Sequence, residues 1–130
     1  MNNVSITNNI IANVPLSAIY LGRLDNNDTS KVSELRSINI SQNILTNCAY
    51  ATHVSSQVSF IDIRGNILGA SVEGNLMNDQ FETEKTKYSI RLTPKIGKDI
   101  RIRNNLLTTK QADTQIKMLI AAGYQDSVKE

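Results

Sequence analysis

The apolar residues of this chain never run far before a turn-forming residue interrupts them. Asn is very frequent and comes in pairs at Asn2-Asn3, Asn8-Asn9, Asn26-Asn27 and Asn104-Asn105. Its side chain bonds nearby backbone and tolerates left-handed conformations, so it marks turns and element ends. The pattern predicts many short elements joined by turns. At 130 residues the chain reads as a single domain spanning 1–130. A domain of this size buries roughly two thirds of the surface exposed when unfolded. An apolar fraction of 40% implies a folded but thin core. The segment "NNIIANVPLSAIYLG" lacks a basic start and falls short of about 18 unbroken apolar residues, so neither a leader nor a membrane span is expected. No internal repeat or low-complexity segment is visible.

Short-range patterns assign the elements. Val4 and Ile6 alternate as in a strand, and Pro15 argues against a long helix nearby. "LSAIYLGRL" and "KVSELRSINIS" flank the turn "DNNDTS", so residues 16–41 read as an N-terminal hairpin with Ile38 and Ile40 on one face. Gly65-Asn66 between two apolar runs fits a second hairpin, with Gly supplying positive φ. "EKTKYSIRLTPK" alternates as a strand that Pro94 ends, and "DIRIRN" is a short strand after the "IGK" turn. Thr108 and Gln111 have capping-box spacing, while Ala112, Ile116, Leu119 and Ile120 form a helical stripe. Asp113 and Lys117 pair on the other side, and Gly123 suits the helix end. The fold class expected is α+β: a mainly antiparallel β-sheet with an N-terminal hairpin and a C-terminal amphipathic helix, residues 109–122, on one sheet face.

Catalytic chemistry finds little support. His53 is the only histidine, and with Cys48 it offers at most two metal ligands where structural zinc wants four. The lone cysteine can form no internal disulfide, which agrees with a reducing, cytoplasmic compartment. The sequons at Asn3, Asn27 and Asn39 read as chance products of an Asn- and Ser-rich chain. No phosphate-binding glycine motif is present, and the close carboxylates, Asp25 with Asp28 and Glu82 with Glu84, sit in polar stretches that would not raise a pKa. The expectation is no enzyme, no catalytic residue, no metal, no cofactor and no small-molecule substrate.

Charge is informative by its distribution. The net charge is only +2, yet seven of the fourteen basic residues fall between Lys85 and Arg103. If the strands near 85–92 and 100–103 pair, Tyr88, Ile90, Leu92, Ile100 and Ile102 face the helix. Lys85, Lys87, Ser89, Arg91, Arg101 and Arg103 then share the opposite face, where cations about 7 Å apart along a strand suit phosphates. Phe81 has the parity to stack a base, but two Phe, four Tyr and no Trp make a poor stacking platform.

"TKYSIRLTPK" resembles the basic strand ending in Pro-Lys of coat proteins from small single-stranded RNA bacteriophages. "YLGRLDNNDTSKVSELRS" is similar to the short N-terminal hairpin of that family. "IRIRNNLLTTKQADTQIKMLIAAG" is similar to its last strand running into a capped helix. The resemblance implies an antiparallel sheet facing a capsid interior, helices clasping across a homodimer, and RNA against Lys87, Ser89 and Arg91. The expected protein is therefore a structural, RNA-binding coat protein that dimerises and self-assembles into a shell in the host cytoplasm. The alternative is a small phage- or plasmid-type inhibitor or accessory protein that binds a protein target.

Overall fold

A computed structural model describes residues 2–22, 34–48, 59–80, 88–93, 97–109, 118–120 and 128–129. Its strands form three sheets. Sheet A contains β1 (Asn2–Thr7), β4 (Glu34–Ser41), β7 (Asn66–Glu73), β10 (Gly97–Arg103) and β13 (Val128–Lys129). Sheet B contains β2 (Ile10–Ala12), β5 (Ile44–Thr46), β8 (Leu76–Asp79) and β11 (Leu106–Thr109). Sheet C contains β3 (Ile19–Gly22), β6 (Ser59–Arg64), β9 (Tyr88–Thr93) and β12 (Met118–Ile120). Each strand pairs with the strand three elements further along, and every pairing among the described residues is parallel. The chain thus winds through A, B and C in turn, and each circuit stacks on the last as a parallel β-helix.

This overturns the antiparallel α+β expectation. Alternation identifies a strand but carries no information about its direction. A parallel pair needs a return of a dozen or more residues, and here the other two strands of each circuit supply it. Residues 16–41 are not a hairpin, because β3 lies in sheet C and β4 in sheet A. Gly65-Asn66 is no hairpin turn either; it is the corner where the chain leaves β6 and enters β7 on another sheet. Within the span expected to be helical, Met118–Ile120 is a strand in register with Ile90–Leu92, and Thr109 ends β11. An apolar triplet can satisfy its backbone on a waiting edge as well as in a helix, and the edge of β9 takes it. The rest of that span lies outside the described residues.

An internal repeat is present after all. Residues 2–13 (NNVSITNNIIAN), 36–47 (RSINISQNILTN), 68–79 (LGASVEGNLMND) and 98–109 (KDIRIRNNLLTT) occupy equivalent positions on successive circuits. The first recurring shape is a left-handed residue inside each of the first four sheet A strands: Asn3 (φ 57°), Ser37 (φ 53°), Gly69 (φ 94°) and Asp99 (φ 54°). That kink shifts the inward-outward phase by one, so Leu35 and Ile38 both face the core and are buried. The second is the A-to-B corner at Asn8, Gln42, Gly74 and Asn104, with φ of 59°, 57°, 69° and 57°. Five of the eight non-glycine residues with positive φ among the described ones are Asn, which gives one physical reason for the frequency of that residue.

Inside the coil, residues stack in rows one strand spacing apart, about 4.8 Å. Ile38, Ala70 and Ile100 form one row, and Ile40, Val72 and Ile102 the next. Leu45, Met77 and Leu107 line sheet B, while Ile61 with Ile90 and Ile63 with Leu92 line sheet C. All are buried, each contributing about 1.5–3 kcal/mol for a large aliphatic chain. Val4, Ile6 and Ile11 continue these rows into the first circuit, partly buried.

Candidate functional site

The corner that joins sheets A and B carries a ladder of side-chain amides. Asn9, Asn43, Asn75 and Asn105 stand directly after the left-handed residue of each circuit, at separations of 34, 32 and 30 residues. The Asn43 Oδ1 accepts from the backbone N–H and Nδ2 of Asn9, at 3.0 and 3.1 Å. The Asn75 Oδ1 accepts the same pair from Asn43, at 3.1 and 2.9 Å. The Asn105 Oδ1 accepts it from Asn75, at 3.0 and 2.9 Å. The second amide proton of Asn43, Asn75 and Asn105 goes to the carbonyl of Ile6, Ile40 and Val72 on the preceding circuit. Asn43 and Asn75 are 0% and 1% exposed, so these bonds form where water cannot substitute. The ladder holds the coil, and its two inner amides, Asn43 and Asn75, spend both protons and the oxygen within it.

The basic face expected from the sequence is not one face. Strands β9 and β10 do not pair: they lie in sheets C and A of successive circuits. Lys85 and Lys87 lie outside the described residues, as do His53 and Phe81. Ser89 is buried, level with Phe60 on sheet C. Arg91, on the same side of β9, is half-buried and in register with Asp62. Arg101 and Arg103 are exposed on the outer face of sheet A. Arg103 meets Glu73 at 3.3 Å, and Arg36 donates to Glu34 at 2.6 Å on the same face.

Sheet C carries a charged cluster. Asp62 points outward yet is only 3% exposed, and Arg64 donates to both its oxygens, Nε at 3.4 and 3.2 Å and Nη2 at 3.1 Å. The Arg64 guanidinium also lies 5.3 Å from the ring centre of Tyr20, one strand away. A forked pair under an aromatic face ties Arg64 to Asp62 on its own strand and to Tyr20 on the neighbouring one, which makes it a clamp between circuits. Cys48 is buried, with its Sγ 3.5 Å from the Thr46 carbonyl oxygen. Burial pushes its thiol up to about 11, Asp79 adds to the rise and a backbone hydrogen bond with Val14 opposes it, so no thiolate is ready at neutral pH. Among the described residues no three His, Cys, Asp or Glu side chains gather as a metal site, and no helix is long and apolar enough to cross a membrane.

A different outer feature escaped the sequence reading. On sheet B the inward residues are Ile11, Leu45, Met77 and Leu107, yet the outward residues beside the ladder are also aliphatic: Ile10, Ile44, Leu76 and Leu106. Ile10 is 78% exposed, Ile44 40% and Leu106 63%, and Leu76 is half-exposed. The recurring signal was a ladder Asn followed at once by Ile or Leu, at Asn9-Ile10, Asn43-Ile44, Asn75-Leu76 and Asn105-Leu106. Compared with family models, with curated proteins and with solved structures, the chain matches none, so its architecture is read from its own geometry.

Proposed function

We propose that this chain is a structural protein that works by associating with copies of itself. The observation that carries the reading is how the buried polar groups are spent. Asn43, Asn75 and Asp62 are all committed to bonds within or between circuits, and the surface left over includes an aliphatic row in water. An exposed apolar stripe is the mark of an interaction surface.

A nucleic-acid contact is the second reading, favoured by one observation. On the outer face of sheet A, Lys98 and Arg101 are exposed beside Arg103, and neither Lys98 nor Arg101 has an ion pair among the described residues. Size-exclusion chromatography with light scattering, recording absorbance at 260 and 280 nm, tests both readings. A mass of several copies that grows with concentration is the expected result. A monomer of 14.4 kDa at every concentration overturns the self-association reading. Nuclease-protected RNA in the assembled peak would make the sheet A face its lining.

A further inference from the structure

We infer that the outer face of sheet B is where a second copy of this chain docks, through the row Ile10, Ile44, Leu76 and Leu106. The inference rests on the self-association reading and names its surface. Four branched aliphatic side chains on successive strands make a straight ridge with one residue per strand spacing. The exposed part of the row is on the order of 300 Å², comparable with the largest apolar patch of an ordinary monomer and more than a third of the ~800 Å² that each partner contributes to a stable interface.

The flanking row supplies more area without charge. Ala12, Thr46, Asn78 and Thr108 are the other outward residues of sheet B, and Thr108 Oγ1 donates to Asn78 Oδ1 at 2.8 Å. None of the eight residues in the two rows is charged. A nucleic acid would find no cation there. A second copy brings the same uncharged face and the same spacing, so rows meet rows along the whole ridge, as a two-fold interface requires. Sheet A is a poorer candidate for self-docking, because its outer face carries Arg36, Lys98, Arg101 and Arg103 together with Glu34 and Glu73, charges that an interface would have to desolvate.

The test is the oligomeric state of the full chain carrying Ile10→Lys with Leu106→Lys, beside Lys98→Glu on sheet A as the control. Both lysine positions are exposed, so the fold is expected to survive, and an unchanged circular dichroism spectrum and melting temperature check this. Dissociation at concentrations where the parent associates, a rise in dissociation constant of at least 100-fold, is expected for the double variant, with Lys98→Glu unchanged. Ile44→Thr, which shortens the ridge without adding charge, should weaken association about tenfold and covers the case in which the double variant misfolds. Association of the parent that both variants leave intact overturns the sheet B inference while sparing the self-association reading; it would point to the open strand edges β1, β2 and β3 instead. A parent that never associates removes both.

Discussion

Replacing Asn75 by Ala should remove more stability than any other single amide in the protein. Its side chain donates to the Ile40 carbonyl at 3.0 Å and to Asn105 Oδ1 at 2.9 Å, and accepts from the backbone N–H and Nδ2 of Asn43. Truncation strands two donors on Asn43, a residue with no exposure to water. A buried donor left without a partner costs about 1–3 kcal/mol, so two of them place the loss at about 3–5 kcal/mol once partial relaxation is allowed. Domains of this kind have only about 5–15 kcal/mol in total. Asn9→Ala is the internal control. Asn9 donates to Asn43 Oδ1 and to the Thr7 carbonyl, is itself exposed, and leaves behind only acceptors, so about 0.5–1 kcal/mol is expected.

The assay is urea unfolding followed by circular dichroism, comparing midpoints at a common slope. Equal costs for the two variants would refute the ladder as a buried, water-excluded network. Asn75→Asp gives a second handle on the same site. The carboxylate can still accept from Asn43, but it faces two acceptors, which raises its folded pKa above the ordinary value of about 3.9. The folded state then holds a proton that the unfolded state has lost. Stability of this variant relative to the parent should therefore be greatest below about pH 4, fall by up to about 1.4 kcal/mol per pH unit, and level off above the folded pKa.

Two further predictions concern positions where backbone and burial decide the outcome. At Gly22 (φ +90°) an added Cβ would stand 1.7 Å from the Arg64 carbonyl oxygen, so Gly22→Ala should cost about 2–4 kcal/mol in thermal or urea unfolding. At Gly74 (φ +69°) the nearest atoms belong to the exposed Gln42 side chain, and Asn already fills the matching corner at Asn8 and Asn104. Gly74→Asn should accordingly lie within about 1 kcal/mol of the parent, and a large loss would contradict the equivalence of the corners. The Cys48 thiol should resist a disulfide reagent at pH 8 and react as the chain unfolds in urea; rapid labelling of the native protein would contradict its burial. Because its folded pKa is raised from 9.0 to about 11, it favours no change in stability below pH 9 and a loss as pH rises from about 9 to about 11.

Much of the local structure was legible along the chain. Alternation placed Val4 with Ile6, and Ile38 with Ile40, on inward faces, and the Asn abundance marked turns that the left-handed Asn8, Asn13, Asn47 and Asn104 confirm. The repeat was legible too and was missed, because its spacing contracts from 34 to 32 to 30 residues along the amide ladder. A fixed period would have shown it; an uneven one hides behind unlike segments between the matching twelve-residue blocks. The basic row failed for a related reason. Residues Ser89 and Arg91 share a face with Arg101 and Arg103 only if β9 and β10 lie side by side, and the two strands belong to different sheets.

The chain by itself determined which residues face inward, where the backbone turns, and that cores and corners would be built from small units. These are local matters, decided by side-chain period and by which residues tolerate left-handed backbone. Strand direction, strand partner and the sharing of an outer face by Ile10, Ile44, Leu76 and Leu106 were settled only in the tertiary structure. A strand offers the same donors and acceptors to a parallel or an antiparallel neighbour. The choice was made by the closure of each circuit, which brings Asn9, Asn43, Asn75 and Asn105 within 3.1 Å steps of one another and satisfies each buried amide only in that register.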